Sequence, residues 1–273
     1  MTASPALVVL PESRMAEAAL TLDVMAVTSP VRHVRPVRPI RFREQEPEDE
    51  HLGQSRRHLH LCKALYEILR GAVSLAANTV GADQFVYFRA NDVRRCLAPD
   101  GFVKLGQPDA DFDSWKTWER GAPEVAFEVL SPSDTDESWS LEEKIERYHE
   151  LGVRELVAFN VDGEPGRRLR VWDRVNGDFV ERVVENERTP CLTLGLHLAV
   201  APITVDDGAH YPACVRLARD ADATDLLPTT DEARRAADEA RRAAERRATD
   251  ALSRVAALEA ELAQARAHPG SSK

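Results

Sequence analysis

Between Arg57 and Leu69 the apolar positions Leu61, Ala64, Leu65, Ile68 and Leu69 recur at helical spacing, which predicts an amphipathic helix stopped by Gly71. Gln84-Phe85-Val86-Tyr87-Phe88 and Gly101-Phe102-Val103-Lys104 read as strands, and the polar stretch 107–121, with two tryptophans, as a loop that packs an aromatic back on the domain. Glu124 to Leu130 is almost continuously apolar, the pattern of a central strand buried on both faces. Ser140-Leu141-Glu142-Glu143 fits a capping box, so a helix begins there. Leu141, Ile145, Tyr148 and Leu151 form its buried stripe, and Gly152 ends it. A further buried strand follows at Glu155-Leu156-Val157-Ala158-Phe159. Residues 169–172 and 179–183 then form a hairpin across Asn176-Gly177. Strand, helix, strand and hairpin in this order predict an α/β fold with a mixed sheet flanked by helices.

The two ends of the chain read differently. Residues 1–46 form a tail whose second half, from Val31 to Arg43, alternates apolar and basic residues around two prolines. That is the pattern of an edge strand or of an extended arm. Residues 47–228 hold the α/β domain. Residues 229–273 are a helix rich in Ala, Arg and Glu with a short disordered end. Eight acids and eight arginines cancel between Asp231 and Arg266, so the helix is salt-bridged rather than a basic DNA-binding one. A coiled-coil seam runs through Val255, Leu258 and Leu262 but meets alanine and arginine upstream.

At 273 residues and 43% hydrophobic content, the chain can bury one sizeable core with appendages. No apolar run is long enough to span a membrane, and Glu12, Arg14, Glu17 and Asp23 interrupt the N-terminal apolar patches. The four cysteines lie far apart, with no CxxC pair; the reading is free thiols in a reducing cytoplasm and no zinc site. His58 and His60, two apart on a helix, face different directions and read as surface or capping residues. A net charge of −10 means that any DNA contact needs a local basic patch or a bound cation.

Glu128 is the residue that turns this pattern into chemistry. A carboxylate inside Val125-Ala126-Phe127-Glu128-Val129-Leu130 is expensive unless it is paired or binds a metal. Asp100 closes a Pro99-Asp100 turn just before a strand that can neighbour it. Mg²⁺ takes oxygen ligands and keeps several waters, so two carboxylates and a backbone carbonyl, most simply that of Val129, suffice. Lys144, on the first turn of the following helix, is placed to orient a water and to stabilise charge on a phosphoryl group. Ser131 and Ser133 are placed to hydrogen-bond the acids or to cap the turn. No GxSxG elbow accompanies Ser131, which argues against a serine hydrolase.

The chain resembles the putative restriction endonuclease family of the PD-(D/E)XK nuclease superfamily. The resemblance is carried by Ala98-Pro99-Asp100-Gly101-Phe102-Val103, Trp118-Glu119-Arg120-Gly121-Ala122-Pro123, Phe127-Glu128-Val129-Leu130-Ser131-Pro132-Ser133, Lys144, Tyr148 and Leu151-Gly152-Val153-Arg154-Glu155. It implies a restriction-endonuclease-like fold and a Mg²⁺-dependent endodeoxyribonuclease, with Mn²⁺ as a substitute. Asp100 and Glu128 would be ligands, and Lys144 a lysine relocated from the position of Leu130 to the next helix. It also implies DNA as substrate and a homodimer, for which the C-terminal helix is the available element. Gln54 matches a position where the family often carries glutamate, with Glu67 as a substitute, and Ser140 a position where it often carries aspartate. These replacements point to the alternative, a nuclease-fold binding or assembly module with weak or no cleavage.

Overall fold

The computed structural model describes residues 55–130 and 140–267, together with the backbone of 32–34. Its centre is a seven-stranded mixed sheet. An interior strand, β7 (Val125–Leu130), pairs antiparallel with β5 (Gly101–Lys104) on one side. On the other it pairs in parallel with β8 (Glu155–Asn160). Beyond β5 lies β2 (Thr79–Gly81); beyond β8 lie β9 (Leu169–Val175) and β10 (Asp178–Val183). The outermost strand is β1 (Arg32–Val34), which pairs antiparallel with β10, so the edge-strand reading holds for these three residues of the N-terminal segment. The hairpin between β9 and β10 turns at Asn176 and Gly177, with φ of 52° and 95°. Positive φ at both positions is the twist a two-residue hairpin requires.

Each face of the sheet is covered by a different set of elements. Helix α1 (Arg56–Ala72) packs through Leu61, Leu65, Ile68 and Leu69 onto Val103, Val125, Phe127 and Val129. Gly71 lies inside this helix rather than ending it. A glycine costs a helix only about 1 kcal/mol, and Ile68 and Leu69 just before it are fully buried. Helix α3 (Leu141–Leu151) covers the opposite face, where Tyr148 and Leu151 meet Ala126, Leu156, Ala158 and Trp172. Period-two alternation along β7 therefore sends Phe127 and Val129 towards α1, and Ala126 and Glu128 towards α3.

On the α3 side, β3 (Val86–Tyr87), β4 (Cys96–Leu97) and β6 (Trp115–Lys116) form a small sheet, followed by the one-turn helix α2 (Thr117–Arg120). Trp115 is the aromatic packed back on the domain, fully buried with its ring edge-on to Phe102, and it sits in β6 rather than in the expected loop. On the α1 side, β11 (Arg188–Cys191), β12 (Leu196–Thr204) and β13 (His210–Ala218) form an antiparallel sheet that completes the same core. The hydrophobic pattern does not predict these three strands. Pro190, Pro202 and Pro212 interrupt them, and the register slips between Ala201 and Ile203, so the alternation is broken where it would be read.

Among the described residues, the last helix, α4 (Thr230–Ala267), is tied to the domain at its start. Thr229 Oγ1 accepts from Glu232 N at 3.2 Å, while Glu232 Oε2 accepts from Thr229 N at 2.9 Å, a reciprocal cap. The same Glu232 pairs with the buried Arg216 at 2.7 Å, and Arg235 donates to the Thr204 carbonyl. Further along, Leu252, Val255, Leu258 and Leu262 are all exposed. Among the described residues, no helix is long and apolar enough to cross a membrane.

Candidate active site

Asp100, Glu128 and Lys144 converge at the end of the sheet where β5 begins and β7 finishes. Gly101 pairs with Phe127, so continuing that antiparallel register sets Asp100 opposite Glu128. Asp100 does not extend the ladder with its backbone. Its side chain does so instead, Oδ2 accepting the Val129 N–H at 2.6 Å. In a strand the N–H and C=O of one residue leave by the same edge. The Val129 carbonyl therefore faces the Asp100 side of β7, past the last residue of β5 that could use it, while Leu130 O is taken by Val161 N on the other edge.

Glu128 is held from α3. Lys144 Nζ lies 2.7 Å from Glu128 Oε2, and the Tyr148 hydroxyl donates to Oε1. Lys144 and Tyr148 are one helical turn apart, hence on one face of α3. The capping box drawn from the sequence is present: Ser140 Oγ accepts from Glu143 N, and Glu143 reaches back to Ser140 N at 2.8 Å. That cap starts the helix four residues before Lys144 and so fixes where its ammonium lies. Burial pushes the Glu128 carboxyl up to about 7; the ammonium of Lys144 pulls against this and the charge of Asp100 adds to it.

The other half of the site comes from α1. Ser55 Oγ caps that helix by accepting His58 N at 3.2 Å, which sets His58 in the first turn. His58 Nε2 lies 3.1 Å from Asp100 Oδ1, and Cys62 Sγ lies 3.3 Å from the same oxygen. Both side chains are buried, and desolvation followed by the Asp100 charge drives the Cys62 thiol well above the ordinary range. Gly101 is what lets α1 come so close. A Cβ there would meet Leu69 Cδ1 at 2.9 Å and Leu65 Cδ2 at 3.2 Å.

One expectation needs correction here. His58 is not a surface or capping residue: it is buried on α1, on the same helical face as Cys62 at i, i+4 spacing. That spacing is written in the sequence and is the signal by which the pair could have been found. Tyr148, part of the expected buried stripe, also carries a polar contact, to Glu128. Glu67 lies elsewhere, accepting from Thr230 N at 3.0 Å where α4 begins. His60 packs on Tyr211, with Nδ1 2.8 Å from the hydroxyl. Gln54, Ser131 and Ser133 lie outside the described residues.

A family profile described as Uma2, putative restriction endonuclease, matches residues 46–201, more than half of the chain. The chain belongs to the Uma2 family. No curated protein matches it. The part shared with Uma2 proteins contains α1, β5, β7, α3 and β8, hence every group of the site just described, and it ends inside β12. The mixed sheet with helices on both faces is consistent with the restriction-endonuclease-like fold, and Uma2 membership makes this a nuclease-type protein.

The donor set fits a hard divalent cation. Two carboxylates lie at one buried end of the sheet, a single ammonium leaves the three charged side chains one negative in sum, and burial holds one carboxyl far above its usual range.

Proposed function

We propose that this Uma2 protein is a Mg²⁺-dependent endodeoxyribonuclease whose site is Asp100, Glu128 and Lys144. The observation that carries this reading is the buried Glu128 carboxylate, clamped by Lys144 and Tyr148 beside Asp100. Asp100, Glu128 and the Val129 carbonyl would hold Mg²⁺, or Mn²⁺ in its place. When bound, the ion supplies charge neutralisation at the phosphoryl oxygens and lowers the cost of ionising water. Lys144 then orients the attacking water and stabilises the charge that builds on the phosphate in the transition state. Tyr148 fixes the rotamer of Glu128, and the Val129 N–H fixes that of Asp100, so both acids are preorganised. His58 holds the second oxygen of Asp100 from the opposite face.

The test is nicking of supercoiled plasmid with Mg²⁺ or Mn²⁺ by the wild type, Glu128→Ala and Lys144→Ala. Rates should fall by about 10² or more in both variants. Nicking that survives both substitutions would remove these residues from the mechanism. Absence of nicking with either metal would favour a binding or assembly module, a reading supported by the exposed seam of α4.

That seam also supports a homodimer. With Val255 and Leu262 at a positions and Leu258 at d, a parallel pairing sets Arg254 against Glu259 of the second copy, and Glu261 against Arg266. Light scattering should show a dimer that Leu258→Glu together with Leu262→Glu converts to monomer. Removing all of 229–273 is the wrong cut, because it strips Glu232 from the buried Arg216. An unchanged mass in the double variant would sink the seam.

A further inference from the structure

We propose that His58, Cys62 and Asp100 form a second cation seat, selective for a borderline-soft divalent ion such as Zn²⁺, which meets the Mg²⁺ seat at Asp100. The two oxygens of that carboxylate face different partners. Oδ2 takes the amide of Val129 on the sheet, whereas Oδ1 lies 3.1 Å from His58 Nε2 and 3.3 Å from Cys62 Sγ on α1.

Nitrogen, sulfur and oxygen donors from the three residues all fall within 4.8 Å of one another. Bond lengths of about 2.0–2.3 Å to a tetrahedral ion place donor atoms roughly 3.3–3.8 Å apart, so small side-chain rotations suffice to close this set around one ion. The i, i+4 spacing on α1 holds the imidazole and the thiol on one helical face, independently of the sheet. Donor chemistry decides the metal. A thiolate is a poor ligand for Mg²⁺ and a good one for Zn²⁺ or Co²⁺. Three protein ligands leave the fourth tetrahedral position open.

Binding replaces the S–H···Oδ1 contact by a metal–sulfur bond. The thiol proton passes to solvent, His58 enters as neutral imidazole through Nε2, and no redox change occurs. The seat stands without the nuclease assignment; only its consequence, competition of zinc with Mg²⁺ for Asp100, rests on that reading.

The experiment is titration of the chelator-treated, reduced full chain with Co²⁺, in the absence of DNA. A thiolate-to-cobalt charge-transfer band should rise to one equivalent and be erased by Zn²⁺ but not by Mg²⁺. It should vanish in Cys62→Ser, and affinity should fall at least about tenfold in His58→Ala. One equivalent of Zn²⁺ should also raise the melting temperature of the wild type, an effect lost in Cys62→Ser. The wild-type spectrum tests the proposal even where a variant fails to fold. A wild type without the band overturns the seat, as does a band that Cys62→Ser leaves intact. Plasmid nicking without the band would leave the nuclease reading standing and this one fallen, and the band without nicking the reverse.

Discussion

Two of the clusters of buried charge among the described residues are built in opposite ways. At the first, Arg182 is enclosed between β9, β8 and β11. Nε donates to Asp173 at 2.9 Å, Nη2 donates to Glu155 at 2.9 Å, and Nη1 reaches the Pro190 carbonyl. Glu155 in turn accepts Leu192 N at 3.1 Å and Thr193 N at 2.8 Å. Burial works against the Arg182 charge, but the bonds and charges of Asp173 and Glu155 outweigh it and hold the guanidinium above its ordinary range. Every charge there is met by fixed donors or acceptors from several segments, and the cluster pins the β11–β13 sheet to the central one. At the second, Glu128 has one ammonium, one hydroxyl and a neighbouring carboxylate, and burial wins. A fully compensated cluster is a structural tie, whereas an under-compensated one is a place where a cation or a proton gains most by binding.

The contrast can be broken by substitution. Arg182→Met leaves two buried carboxylates without their guanidinium and should cost about 3–5 kcal/mol in urea unfolding. Lys144→Met should cost clearly less, because Glu128 can stay protonated when its partner is removed. Equal losses at the two sites would erase the distinction.

A subtler separation comes from pH. The Glu128 carboxyl titrates near 7 in the folded protein against 4.5 for its ordinary value, so the native state keeps a proton that the unfolded chain has lost. Metal-free stability from this group is therefore fully present below about pH 4.5 and falls as pH rises towards about 7. Glu128→Gln should flatten that slope in chelator-treated samples, and saturating Mg²⁺ should reduce it. A slope unchanged by the substitution would assign the titration to another group. The smallest expected effect is that of Ser140→Ala, about 1 kcal/mol. It should lower the nicking rate as well, since the lost cap frees the turn that carries Lys144.

Elements that repeat a simple period were legible in the chain. The stripe of α1, the apolar run of β7, the capping box of α3 and the Asn176-Gly177 hairpin were read from local spacing, because the forces that set them act within one turn or one strand. The proline-broken strands β11–β13 were not legible, since their alternation fails and only pairing restores it. His58 escaped the sequence reading for a related reason. Its i, i+4 spacing to Cys62 was visible, but the partner that gives it meaning, Asp100, lies 42 residues from His58.

The sequence alone determined that an acid sits in a buried strand, that a second acid closes a turn before another strand, and that a capped helix carries a lysine after the first. Those are matters of period, propensity and the cost of burying a charge. Only the tertiary structure decided which groups share an oxygen. Antiparallel pairing of β5 with β7 set Asp100 opposite Glu128, and the close seat of α1 above Gly101 brought His58 and Cys62 to the same carboxylate. Such contacts depend on strand register and helix approach, which the burial of distant residues fixes together.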